Sequence, residues 1–220
     1  MVVWKADIVL RNLNLLTVGA PYSLLSSTDV PTVKMRDKVL IPGTSFKGVL
    51  RTSAHMAAAS VGMSSCGEID PSKISEAHKN GVCDVCDVFG MPGTPVTACS
   101  KVRVSDLKPS RLVRTFPLTR TSMNPARGKV EEGRLFTMEV VPLYTEFEGE
   151  VWAMGEKALK LVLAALDELR YGVLGKGSLV DLRVRSIKPE PDSLDEVGRR
   201  LLDGLAKWRW EDVCGPSVED

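Results

Sequence analysis

The sequence predicts an α+β fold of ferredoxin-like type with large loops inserted between its elements, and three patterns carry that prediction. Trp4, Ala6, Ile8 and Leu10 alternate with Lys5, Asp7 and Arg11, the pattern of a half-buried strand. Leu159, Val162, Leu163, Leu166 and Leu169 recur at helical spacing within residues 158–171. VDLRVRSI, from Val180, alternates again and closes the order strand, helix, strands, helix, strand.

The intervening elements follow in turn. Residues 19–42 read as a long loop. Pro42 and Gly43 punctuate before a helix expected from about Thr44 to Ser60, with Thr44 or Ser45 as N-cap and Phe46, Val49, Leu50, Ala54 and Ala57 on its inner face. Residues 61–95 are irregular and rich in Gly, Cys and Ser, and KVRVSD (101–106) is a short strand. A polar, basic connection over 109–133 precedes LFTMEVVPLY, which with EVWAM after a Glu/Gly turn reads as a hairpin. A last helix over 194–210 turns Val197, Leu201, Leu202, Leu205 and Trp208 inward. One domain over 1–220, with insertions at about 61–100 and 109–133, accounts for the chain without a repeat.

Composition excludes several classes. With 220 residues, 44% hydrophobic and 26% charged, the chain can bury a core and is neither disordered nor fibrous. A net charge of +1 argues against a uniformly basic coat but leaves room for a basic groove with an acidic rear. The N-terminal segment carries charges within its apolar stretch, and no stretch approaches a membrane span. A cytoplasmic protein with no membrane partner is expected, and there clustered cysteines hold metal more often than they form disulfides.

Cys66, His78, Cys83 and Cys86 form Cys-x11-His-x4-Cys-x2-Cys within 21 residues of loop that has little else to hold it. A structural zinc ion fits this set. His55 is the other histidine and competes as fourth ligand, while Cys99 and Cys214 read as spare thiols. A redox pair is the alternative for Cys83 and Cys86, but such pairs sit where a strand meets a helix, which this loop does not suggest.

The remaining chemistry is basic. The helix beginning at IPGTSFKG offers free N–H groups at Gly43, Thr44 and Ser45, and Lys47, Arg51 and His55 follow one another at i, i+4. That makes an anion-binding start, or a solvated basic face. Arg120, Arg127 and Lys129 lie in RTSMNPARGKVEEG with turn residues at its tip. Lys176 sits among Gly172, Gly175 and Gly177, which allow close backbone approach to a phosphodiester, or simply cap the preceding helix.

IPGTSFKGVLR, CDVCDVFG, KVRVSD, RTSMNPARGKVEEGRLFTMEVVP and the Gly-rich loop occur in the order seen in the RAMP superfamily of CRISPR-associated proteins. The chain resembles the repeated backbone subunit of type III (Csm- or Cmr-type) effector complexes from about residue 29 to 187. It departs at Lys176-Gly177-Ser178, where members often carry Ser-Arg-Gly.

The resemblance implies a modified RNA-recognition-motif fold that assembles with copies of itself in a filament along CRISPR RNA, beside other type III complex subunits. It implies guide contacts by Gly43, Thr44, Ser45, Lys47 and Arg51. The 109–133 segment, with Arg120, Arg127 and Lys129, would be a thumb-like hairpin that wedges between guide and target RNA. Asp29 matches the aspartate with which catalytic members cut target RNA, using a divalent cation, Mg2+ or Mn2+. Without the resemblance Asp29 reads as an N-cap or turn residue before Pro31, and Asp37 is the competing carboxylate. A non-cleaving scaffold and a guide-processing endoribonuclease using His55 are the alternatives.

Overall fold

The computed structural model describes residues 2–20, 28–79, 81–91, 99–124, 129–192 and 194–210. In chain order these form β1 (Val3–Asn12), β2 (Lys34–Met35), β3 (Lys38–Val39), α1 (Gly43–Ala57), α2 (Pro71–Ala77), α3 (Asp84–Phe89), β4 (Val102–Val104) and β5 (Lys108–Pro109). The second half adds β6 (Phe116–Asn124), β7 (Lys129–Val140), β8 (Glu146–Met154), α4 (Glu156–Leu169), β9 (Val173–Leu174), β10 (Ser178–Lys188) and α5 (Glu196–Leu205).

The architecture is mixed α+β on a curled antiparallel sheet of order β4-β8-β1-β10-β9, with β5 also paired to β8. β1 lies in the middle because its alternation buries Trp4, Ala6, Ile8 and Leu10 under the helices, while its other face carries charge. That charge is compensated: Lys5 meets Glu150 at 2.5 Å, Arg11 meets Glu146 at 2.7 Å and Arg185 meets Glu148 at 2.7 Å. A sheet face so neutralised has little left to attract phosphate.

α4 is buried on more than one stripe, since Leu161, Leu163, Ala164 and Ala165 are enclosed along with the predicted Leu159, Val162, Leu166 and Leu169. It packs against α1 on one side and α5 on another, and both need an apolar surface. Truncating Leu163 to Ala would therefore cost about 2–5 kcal/mol.

Four details differ from the sequence reading. The 61–95 stretch holds two helices too short to show a period, α2 being capped by the Asp70 carboxylate, which accepts the Ser72 N–H at 3.0 Å. β7 pairs with β6, not β8, because the chain leaves at Pro142 for the main sheet; there Asn12 Nδ2 donates to Pro142 O at 2.8 Å and Tyr144 adopts φ +55°. α5 stops at Leu205, Val197 is 40% exposed, and Trp208 lies beyond the helix with Arg11 4.2 Å and Arg183 4.8 Å from its ring centroid. The 19–42 loop contains the β2–β3 hairpin, whose turn places Arg36 and Asp37 at positive φ.

Candidate metal centre and RNA-binding surface

The four predicted ligands converge. Ligand atoms of Cys66, His78, Cys83 and Cys86 all lie within 4.8 Å of one another. Cys66 Sγ is 3.8 Å from Cys86 Sγ, and His78 Nε2 is 3.4 Å from Cys83 Sγ. Tetrahedral zinc with ordinary bond lengths needs about 3.8 Å between two sulfurs and about 3.6 Å between sulfur and nitrogen, so the set fits the ion. The histidine ring is oriented to ligate, because Nδ1 donates to Ile74 O at 2.7 Å and leaves Nε2 facing the thiols. His55 stands outside the cluster, with Nδ1 at 2.8 Å from Ser65 Oγ.

Local structure explains the convergence. Cys83 is the N-cap of α3 and Cys86 lies in its first turn, so the Cys-x-x-Cys opens a helix after all, although among the described residues no strand leads into it. Burial works to raise the Cys83 thiol, but hydrogen bonds from His78 and from the Cys86 and Cys66 backbones bring it down to about 7. Burial and the neighbouring Cys83 push Cys86 up to about 12. Of the two neighbouring thiols, Cys83 is thus the more readily ionised. Cys99 is exposed and free; Cys214 lies outside the described residues.

α1 starts one residue before the expected cap. Pro42 is the N-cap and has no side chain to cap the helix, and the Asp106 carboxylate, from far along the chain, takes the Gly43 N–H at 2.8 Å instead. A Cβ on Gly43 would lie 2.5 Å from Val104 O, so glycine is required for the helix to abut β4. Thr44 and Ser45 remain exposed at the helix start.

The basic stripe of α1 faces the cysteine loop. Lys47 Nζ donates to Ser100 Oγ at 2.6 Å, and burial, with help from the charge of Arg51, lowers its pKa. Arg51 Nη2 donates to Cys86 Sγ at 3.1 Å. Burial, then Arg51 and His78, lower the pKa of His55, which favours its neutral form.

Asp29 is exposed, and its Oδ2 accepts the backbone N–H of Thr137 in β7 at 2.7 Å. The adjacent Val30 bridges Met138, and the Thr32 N–H reaches Glu139 Oε2 at 3.1 Å. Glu139 also holds Lys34 and Thr115. The Asp29 loop is therefore fastened to the base of the β6–β7 hairpin.

Arg120 is exposed on β6. Arg127 lies outside the described residues, and Lys129 opens β7 by its backbone, its side chain lying outside them too. Lys176 is exposed in the turn between β9 and β10. Gly175 makes its close approach to protein rather than to a phosphodiester: at φ +62°, a Cβ there would lie 2.2 Å from Thr17 O. Thr17 in turn donates its hydroxyl to Glu139 O at 2.9 Å, so the Gly-rich turn and the Asp29 loop meet at one place.

A family model for the RAMP superfamily matches residues 30–180. The chain belongs to the RAMP superfamily. No curated protein matches it. Membership gives this RAMP protein a CRISPR-associated RNA-binding role, with CRISPR RNA and Cas-complex subunits as the implied partners. Among the described residues no helix is long and apolar enough to cross a membrane.

Sequence reasoning alone misses Asp106, Thr137 and Glu139 in this RAMP protein. Asp106 and Glu139 give no local signal, because their partners Gly43, Lys34 and Thr32 are far along the chain. Thr137 contributes only a backbone N–H, which no side-chain pattern reports.

Proposed function

We propose that this protein is a guide-RNA-binding backbone subunit of a type III CRISPR effector complex, and that it cuts bound target RNA through Asp29 with Mg2+ or Mn2+. The observation that carries the reading is the attachment of the Asp29 loop to the base of the β6–β7 hairpin. A hairpin in that position wedges between guide and target, and a carboxylate at its foot lies beside the nucleotide it displaces. One carboxylate oxygen is held by Thr137 and the other has no partner among the described residues, which leaves it to bind a cation near the scissile phosphate.

Guide contact falls to the α1 start at Thr44 and Ser45 and to the exposed Arg120 and Lys176 with Arg127 and Lys129, whereas the Gly43 N–H is taken by Asp106 and Lys47 is turned to Ser100. The strand order, with β1 between β8 and β10 and β4 outermost, supports a ferredoxin-like core, a modified RNA-recognition motif, in a single domain over 1–220. The neutralised sheet face favours these loops over the sheet as the RNA surface. Zinc in the Cys66, His78, Cys83 and Cys86 set stiffens the loop against α1 and takes no part in cutting. Copies of the chain would repeat the arrangement along the guide.

The test is RNA affinity against salt. The purified protein should bind single-stranded RNA with little sequence preference, and Lys176→Ala or Arg120→Ala should each lower the log–log salt slope by about 0.7. Unchanged affinity and slope in both variants would contradict the guide-binding surface.

A further inference from the structure

Arg51 is a cation with no carboxylate partner among the described residues. Its Nη2 meets Cys86 Sγ, its Nε is buried with no partner, and no acidic side chain pairs with it among the described residues. A guanidinium held in this way is costly unless an anion compensates it. The group that Arg51 meets belongs to the cysteine cluster. Three thiolates, one neutral imidazole and Zn2+ sum to a net charge of −1, which a single guanidinium balances.

We propose that Arg51 is the outer-sphere partner of the zinc centre, neutralising it through Cys86 Sγ and fastening α1 to α3, and that it is not a phosphate ligand for RNA. The inference rests on the zinc reading above. It follows from the direction of the side chain. Lys47, Arg51 and His55 occupy successive turns of one face of α1, and their polar atoms reach Ser100, Cys86 and Ser65, all in the segment that carries the metal ligands. Phosphate binding would require Arg51 to leave a thiolate and strip the cluster of its counter-charge.

Arg51 also suits the role better than lysine would. Its flat fork presents an N–H to sulfur at 3.1 Å, a directional contact that the point charge of a lysine ammonium does not reproduce. Outer-sphere partners of zinc ligands typically contribute about 10- to 100-fold to metal affinity.

The experiment compares zinc release and RNA salt dependence on the same preparations. Wild type, Arg51→Met, Arg51→Lys and Lys176→Ala are loaded with zinc, and transfer of the metal to a chromogenic chelator is followed in time. Arg51→Met should release zinc about 10- to 100-fold faster than wild type, Arg51→Lys should fall between, and the zinc-loaded Arg51 variants should keep the wild-type salt slope. Lys176→Ala should do the reverse, with wild-type release and a lower slope. If Arg51→Met fails to fold, Arg51→Lys carries the comparison, and wild-type release from it would overturn the proposal. A fall in salt slope by about 0.7 with unchanged zinc release would likewise overturn it and make Arg51 a phosphate ligand. A wild-type chain that takes up no zinc would remove the zinc reading itself, a result distinct from zinc that binds but ignores Arg51.

Discussion

Asp29 and Thr137, 108 residues apart, are joined by a hydrogen bond from the Thr137 N–H to Asp29 Oδ2 at 2.7 Å, and this bond fixes a carboxylate at the foot of the β6–β7 hairpin. The carboxylate combines a structural hydrogen bond with a second oxygen that has no partner among the described residues. Substitutions can therefore separate the two: asparagine keeps an acceptor for Thr137 and removes the charge, whereas alanine removes both.

Zinc is expected to act on folding and not on chemistry. Cys83→Ser, or exhaustive chelation, should destabilise the chain by about 3 kcal/mol, equivalent to roughly 6–12 °C in thermal midpoint at this size. RNA affinity per folded molecule should change little. Metal analysis of wild type should return one zinc per chain, and a substoichiometric value would contradict the site.

Gly175 and Gly177 should differ sharply. Both have positive φ, but a Cβ at Gly175 meets Thr17 O at 2.2 Å, whereas at Gly177 it meets open space. Gly177→Ala should cost about 1 kcal/mol and Gly175→Ala clearly more, because the backbone of Thr17 must move. Denaturant titration of the two variants measures the difference, and equal losses would mean that the turn is not packed on Thr17.

Glu139 gives the hairpin base a dependence on pH. Burial works to raise its pKa, but hydrogen bonds from Lys34, Thr115 and the Thr32 N–H outweigh it and leave the value below the ordinary 4.5. A lowered folded-state pKa means that the unfolded chain binds the proton more readily. The stabilisation is thus fully present above pH 4.5 and is lost as pH falls through the folded value. Glu139→Gln should lower stability at neutral pH and flatten the acid limb of the stability curve. An acid limb identical to that of wild type would contradict the role of this carboxylate.

What is legible in the sequence depends on burial and on distance along the chain. β1 and β10 show their periods because one side of each faces the core, and α4 because its apolar stripe repeats over several turns, although its burial extends beyond that stripe. α2 and α3 are too short for a period, and β6–β7 lies off the main sheet, so no strict alternation marks its first strand. The metal ligands are readable because all four fall within one short segment. The direction of Arg51 is not: the helical spacing with Lys47 and His55 is visible, but the thiol it meets lies 35 residues away and could not be told from a phosphate. Asp29 stands out only by family resemblance, since alone it is one carboxylate before a proline.

The most direct measurement is target-RNA cutting by the assembled, guide-loaded complex with magnesium or manganese, comparing wild type, Asp29→Asn, Asp29→Ala and Asp37→Ala. Wild type and Asp37→Ala should give evenly spaced cuts. Both Asp29 variants should bind guide and target but leave the target whole, and Asp29→Asn should keep wild-type stability while Asp29→Ala loses about 1 kcal/mol. Cutting at the wild-type rate by both Asp29 variants, or a wild-type complex that binds target with the metal present and never cuts it, would contradict the account.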